Sequence, residues 1–243
     1  MINIILCEGG TDQRLLGSYL ERSMGWTRKK MKSAPFAHYP NIWYVKKDDE
    51  NKTLGILSVN GTNFTPALTD IMKSEILEHT IERIAVVTDH DDTTAETTRL
   101  MKIHDVICKG LGIWPFYDDI VPSQWLDITF FDSFTSRCII KFCYLLVPMC
   151  ETGALETFML KAISENPEMC NVVERAMYFI EGVKATSHRY LQRRREIIKS
   201  RLGACMAVFN PDRILTTTNW LIKSVKWEKF EEAHKQFAPL KEI

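Results

Sequence analysis

The sequence predicts an α/β protein with a largely parallel sheet flanked by helices and a helical C-terminal part. Three observations lead there. Short, almost continuously apolar runs ("INIILC", "IAVV", "CIIKFCYLLV") lack strict alternation and so read as strands buried on both faces. Segments with apolar residues at helical spacing separate these runs, as crossover connections between parallel strands require. After Pro148 the strand-like runs stop and helical segments follow one another. The expected organisation is an α/β unit over residues 1–150 and a helical extension over 151–243 packed on it.

"INIILC" is a strand ended by "EGGTD", with a helix from about Asp12 to Met24 for which Thr11 is a candidate N-cap. "NIWYVKKDDENKTLGILSVNG" holds two β-rich runs around a charged centre, the pattern of a hairpin whose second arm runs from Leu54 to Val59. "FTPALTDIMKSEILEHT" spaces Leu68, Ile71, Met72 and Ile76 helically, with Thr65 as cap and Pro66 at the first helical position. A strand over Ile84–Val87 then leads through an acidic turn to a helix closed by Gly110 or Gly112. Residues 113–137 read as irregular and aromatic, and "CIIKFCYLLVP" as one long or two short buried strands. "ETGALETFMLKAI", "EMCNVVERAMYFIEGV", "SHRYLQRRREIIKSRLGACMAVF" and "NWLIKSVKWEKFEEAHKQF" each read as a helix.

Composition narrows the functional classes. With 243 residues, 45% of them hydrophobic, the chain has material for a substantial core. Its formal net charge is zero, so no global field draws it to nucleic acid and such binding needs a local patch. Residues 1–150 carry 16 basic and 19 acidic side chains, whereas residues 151–243 carry 15 and 12, which places the positive excess in the helical part. Seven cysteines without a CxxC pair indicate free thiols rather than a disulfide framework or a zinc knuckle. The N-terminal apolar run lacks the basic lead-in of a signal peptide, and no stretch approaches the ~20 apolar residues of a membrane span. A cytoplasmic protein with no membrane partner is expected.

The carboxylates at strand ends carry the chemistry. In a parallel sheet the carboxyl ends of the strands share one edge, where ligands bind. Glu8 ends the first strand, and Asp89 and Asp91 end "IAVVT". In an extended chain alternate residues face the same way, so Asp89 and Asp91 can meet one cation while His90 faces away. Asp92 or Thr93 would cap the next helix. Converging carboxylates repel one another unless protons or a divalent metal neutralise them, and hard oxygen donors favour Mg²⁺ or Mn²⁺ over zinc. Each motif alone is also what a solvated helix start presents, since acids there are favoured by the helix dipole. Their shared order and strand-end placement are what a cap does not explain.

"CEGGTDQRLL" followed some eighty residues later by "VVTDHDD" resembles the two signatures of the Toprim domain, a strand-end Glu-Gly and a strand ending in Asp-x-Asp. With an acid four residues after the glutamate, the pattern is most similar to OLD-type nucleases and small stand-alone Toprim proteins. By order of elements the resemblance covers about residues 1–150 and implies a Toprim-like (Rossmann-like) sheet. It implies Glu8 as metal ligand or general acid/base, Asp12 as the extra ligand, and Asp89 and Asp91 as ligands of the principal ion. Glu156 would be the later helix-borne glutamate, with Glu151 as substitute and Lys161 as the lysine facing the phosphate. Two divalent ions about 4 Å apart would serve an in-line phosphodiester displacement. The chain is too short for the separate nucleophile domain of topoisomerases, which favours hydrolysis. Glycines 9 and 10 would let the backbone turn sharply near a phosphate.

For the substrate, Arg189, Arg193, Arg194, Arg195, Lys199 and Arg201 face only Glu196 in one segment, a basic stripe suited to a phosphate backbone, or equally a solvated helix face. Arg28, Lys29, Lys30 and Lys32 form a smaller cluster. Trp114, Phe116, Tyr117, Trp125, Phe130 and Phe131 are assigned to core or interface packing ahead of base stacking, and the six histidines show no ligand spacing. The expected function is a Mg²⁺- or Mn²⁺-dependent nuclease acting on nucleic acid, DNA ahead of RNA. A role in phage defence or repair and a protein partner or second copy accompany it. Two alternatives stand beside it: a non-catalytic module of the same type that binds metal or nucleic acid, and a haloacid-dehalogenase-like phosphatase using "DHDDT" with Asp89 as nucleophile.

Overall fold

β1 (Ile2–Cys7) is buried along its whole length and sits at the middle of the sheet. The computed structural model describes residues 2–29, 36, 42–47, 52–73, 81–90, 93–114, 120–131, 137–187, 189–212 and 217–243. Around β1 lie β2 (Thr27–Lys29), β3 (Ile42–Lys47), β4 (Lys52–Ser58), β5 (Ile81–Asp89), β6 (Trp125–Phe131) and β7 (Arg137–Val147), in the order β2-β3-β4-β1-β5-β7-β6. The four inner strands β4, β1, β5 and β7 are parallel. The outer pairs are antiparallel: β3 with β4 in the expected hairpin, β2 with β3, and β6 with β7.

Side chains of the inner strands alternate between two cores, as a sheet covered on both faces demands. Ile4, Leu6, Ile84, Val86, Phe142 and Tyr144 face one layer, against α2 (Thr65–Lys73) and α3 (Thr93–Gly110). Ile5, Cys7, Ala85, Val87, Cys143 and Leu145 face the other. That second face is covered by α1 (Gly10–Ser23) together with the C-terminal helices α4 (Leu155–Ile163), α5 (Pro167–Thr186), α6 (Arg194–Phe209), α7 (Thr217–Ser224) and α8 (Glu231–Gln236). Residues 151–243 therefore share one core with α1 and the strands. Asn3, the one polar residue in β1, donates from Nδ2 to the Ile243 carbonyl at 2.6 Å, and Gln236 bonds both Leu146 O and Met149 N at 2.7 Å. Among the described residues no helix is long and apolar enough to cross a membrane.

Several local expectations are corrected. α1 starts at Gly10, with Gly9 in the cap position rather than Thr11, because the Asp12 carboxylate accepts the Gly9 N–H at 2.7 Å. Thr65 is already the first residue of α2. Residues 125–131, expected to be irregular, form β6: Ile128 and Phe130 point inward while Asp127, Thr129 and Phe131 point out, the alternation of an edge strand. "CIIKFCYLLV" is a single strand. The last segment is not one helix; it breaks after Ser224 so that Trp227 can be buried, its indole N–H donating to Ile222 O at 3.0 Å. Trp114 and Phe131 stand exposed, outside the core, while Phe116 and Tyr117 lie outside the described residues. Ile76, Asp92, Lys30 and Lys32 also lie outside them. None of the seven cysteines is joined in a disulfide, and Cys150 is exposed.

The α2–α3 contact gives a direct test of packing. A Cβ on Gly110 would fall far inside contact distance of Met72 Cβ, and Met72 is buried. Alanine would gain at most about 1 kcal/mol of helix propensity there, against roughly 1–3 kcal/mol for overpacking. Gly110→Ala should therefore lower the urea midpoint and the melting temperature; a rise would mean that the two helices separate freely.

Candidate functional site

β1 and β5 lie side by side, and their carboxyl ends open on one edge where the chain leaves β1 for one face and β5 for the other. Such a switch point leaves a crevice between the diverging connections. Here it is a cavity of about 720 Å³ whose lining includes Glu8, Gly9, Asp12, Asp89, Gly153, Glu156, Arg194, Arg195 and Lys199. The loop after β4 closes one side with Asn60, Gly61 and Thr62, and the Gly61 N–H donates to the Glu8 carbonyl at 2.8 Å. Asn60 at φ +57° and Gly61 at φ +143° supply the left-handed backbone of this bend. The glycines of "EGGTD" play a different part from the one expected: Gly9 is extended, and what favours glycine there is the Asp12 carboxylate, 3.1 Å from where a Cβ would sit.

Glu8 binds the end of β5 directly. Its Oε1 accepts from the Thr88 hydroxyl, from the Asp89 N–H at 3.0 Å and from the Arg99 guanidinium at 3.4 Å. Arg99, from the second turn of α3, also donates to Thr88 Oγ1 and to the Asp89 carbonyl at 3.5 Å. The Asp89 side chain points the other way and accepts the N–H of Leu155, the first residue of α4, at 3.1 Å. The adjacent His90 turns from the cavity: its Nδ1 lies 2.9 Å from Pro148 O, its Nε2 3.6 Å from Glu96, and its carbonyl accepts the Gly153 N–H.

The electrostatics follow from this crowding. Burial pushes the Asp89 carboxyl up to about 8, with Glu8, Asp12 and Glu156 adding repulsion against the Leu155 hydrogen bond. Asp12 is raised to about 6, by burial first and by Glu8 and Glu156 after it, against the Gly9 N–H. Cys7, though adjacent in sequence, is fully buried and its Sγ donates to Leu57 O at 3.5 Å, so it offers the cavity no thiolate. Among the described residues no three histidine, cysteine, aspartate or glutamate side chains are grouped so as to hold a metal ion as they stand. Asp91, expected as a ligand, lies outside the described residues.

The other expected site residues divide. Glu156, in the first turn of α4, lines the cavity and pairs with Lys199 at 3.8 Å. Glu151 and Lys161 do not: they pair with each other at 3.4 Å on the exposed flank, where Lys161 also meets Glu232 at 3.0 Å. The lysine that faces the carboxylates is Lys199. Of the basic stripe, Arg194, Arg195 and Lys199 reach the cavity, whereas Arg201 pairs with Glu181. Arg189 and Arg193 precede the helix, which begins only at Arg194, and Arg193 contacts Glu196 at 4.0 Å. Of the second basic cluster, Arg28 lies over the Trp43 ring, 3.7 Å from its centroid. Arg99 was not singled out from the sequence; the signal it carries is a cation on the helix that follows an acidic strand end.

Residues 2–240 match the family described as "Protein of unknown function (DUF3226)". The chain belongs to the DUF3226 family. No curated protein matches this DUF3226 member. Among solved structures, the crystal structure of hypothetical protein PH0156 from Pyrococcus horikoshii OT3 is similar at 15% identity, covering 92% of this chain and 98% of that one with a TM-score of 0.42.

Two outcomes are expected. An acid raised in the folded state makes that state bind more protons than the unfolded chain, so its stabilising protonation is complete below about pH 4 and lost as pH rises through the raised value. Asp89→Asn, which keeps an oxygen for Leu155, should be more stable than the parent. That excess should grow from about pH 5 to about pH 8 by on the order of 2 kcal/mol; a difference independent of pH in paired urea titrations would contradict the assignment. Arg99→Met should cost about 2–3 kcal/mol because it strands a half-buried Glu8. Combining it with Glu8→Gln should recover part of the loss in a double-mutant cycle. Strict additivity would show that the pair is not coupled.

Proposed function

We propose that this DUF3226 protein is a metal-dependent nuclease that hydrolyses nucleic-acid phosphodiester bonds at the strand-end carboxylates, the activity that the Toprim resemblance of "CEGGTD" and "VVTDHDD" implies. The single observation that carries the reading is the division of the cavity: carboxylates of Glu8, Asp12, Asp89 and Glu156 line it together with the cations Arg194, Arg195 and Lys199. A phosphodiester needs both, a cationic surface for its neighbouring phosphates and an anionic pocket for an ion at the bond that breaks.

The donor chemistry suits Mg²⁺ or Mn²⁺. Burial first, and the neighbouring carboxylates after it, make the ionised forms of Asp12 and Asp89 costly, a cost that a cation would relieve, and all donors are hard oxygens. Asp89 and Asp12, with Glu8 and Asp91, would hold the ion. When bound, a divalent ion polarises the phosphoryl oxygens and lowers the pKa of a water molecule. The chain's own groups do the rest. Arg194, Arg195 and Lys199 bind phosphate oxygens, helped by the positive N-terminal end of α6. Arg99 takes up the charge of Glu8 and keeps its carboxylate against the end of β5. The Leu155 N–H orients Asp89, and Lys199 keeps Glu156 from adding its full charge to the pair.

A phosphatase using Asp89 alone would leave Glu8, Asp12 and the cationic wall without a role. A part in phage defence or repair, which rests on the resemblance, and a cytoplasmic location, which rests on the free thiols and the N-terminal run, belong to the same proposal.

Supercoiled plasmid and end-labelled RNA incubated with the protein and Mg²⁺, Mn²⁺ or EDTA test the reading. Cutting is expected with either ion and not with EDTA. Asp89→Asn and Glu8→Gln should each lower the rate by roughly a hundredfold or more, and Mn²⁺ should raise the melting temperature of the parent more than that of either variant. No cutting, with Mn²⁺ binding intact, would leave the cavity a binding module and reject the nuclease. Hydrolysis of a small phosphate ester that needs Asp89 but not Glu8 would replace it with the phosphatase.

A further inference from the structure

Between α5 and α6, Ser187 and residues 189–193 are linked by hydrogen bonds from their own side chains and take no part in the catalytic site. Ser187 Oγ accepts the N–H groups of Arg189 at 3.3 Å and Tyr190 at 2.9 Å, and the Gln192 amide donates back to the Ser187 and Tyr190 carbonyls at 3.2 and 3.1 Å. Leu191 holds a left-handed backbone, φ +61°, uncommon for a branched apolar residue, and its side chain is 9% exposed. The reversal turns Leu191 inward and leaves Tyr190 outward, 62% exposed, with the Arg189 guanidinium 5.7 Å from its ring centroid. One exposed tyrosine is ordinary on a protein surface. A tyrosine held out by a strained, hydrogen-bonded turn, inside a seven-residue run with four arginines and no acid, is a presented ring in a cationic field.

We infer that this turn is a stacking platform for an unpaired base, and that the protein takes single-stranded nucleic acid in preference to duplex. The inference rests on the nucleic-acid reading of the cavity and names its substrate class. Arg194 at the cavity wall lies four positions along the chain from Tyr190, a reach of at most about 14 Å. That distance corresponds to a few nucleotides of one strand. A base within a duplex has both faces covered by its neighbours, whereas a single strand offers a free face to an aromatic ring, without sequence preference. Arg189 would add a cation to the stacked pair, and Arg194, Arg195 and Lys199 would continue the phosphate track toward the carboxylates.

Fluorescence anisotropy of the full chain in EDTA, with a labelled oligothymidine and a hairpin duplex of the same nucleotide count, provides the test. The parent should bind the single strand on the order of tenfold more tightly than the duplex. Tyr190→Ala should lose about that factor on the single strand and leave duplex binding unchanged, while Tyr190→Phe, which keeps the ring, should bind like the parent. Equal weakening on both probes, an unchanged Tyr190→Ala, or a preference for duplex would overturn the platform. Metal-dependent cutting, measured on the same preparations, separates the two proposals. Cutting that persists without strand preference sinks the platform alone, and strand-selective binding without cutting sinks the nuclease alone.

Discussion

The contact on which the site depends is the one between Glu8 and the end of β5. Parallel pairing brings the two strand ends level, but only the Glu8 carboxylate, bonded to the Thr88 hydroxyl and the Asp89 N–H, locks one acidic motif to the other. The cost is a half-buried negative charge, and Arg99 offsets it from the opposite layer of the protein. Among the described residues Asp12 and Asp89 have no such cation beside them in the cavity, and burial, with repulsion from the neighbouring carboxylates, makes both hold their protons more tightly. The cavity thus combines one compensated carboxylate and two that gain from any added cation.

The helical part is more than an appendage in this arrangement. α4 brings its first N–H to Asp89 and places Glu156 nearby, while α6 contributes the cationic wall. Both helices are held against β1 and α1 by a continuous apolar core, and the tail returns to Asn3 in the middle of the central strand. The acidic lining comes mainly from the first half of the sequence and the basic lining from the second. Their opposition across one cavity explains how a chain with zero net charge can still present a strongly divided surface.

The corrections share a cause. Regularity along the chain predicts that a helix or strand exists, but side-chain demand from elsewhere sets where it ends. Trp227 needs burial and an acceptor, so the final segment breaks; Asp12 bonds back to Gly9, so α1 begins earlier than a threonine cap would have it. The basic stripe shows the same limit. Its residues are contiguous in sequence, yet the helix starts at Arg194, Arg201 turns to Glu181, and only part of the stripe reaches the cavity.

The sequence by itself determined the α/β class, the buried inner strands, the hairpin and the presence of acids at the ends of β1 and β5, because each is written in local periodicity and in the turn residues beside it. Glu8 and Asp89 could be named from such patterns, and the Toprim resemblance added Asp12 and Glu156. Tertiary structure alone decided that Arg99 and Lys199 partner them, that Lys161 and Glu151 pair away from them, and that Tyr190 is turned outward. The reason is physical. A carboxylate at a strand end announces itself by position, whereas the cation that balances it arrives from a different layer and is selected by distance through space, which no spacing along the chain records.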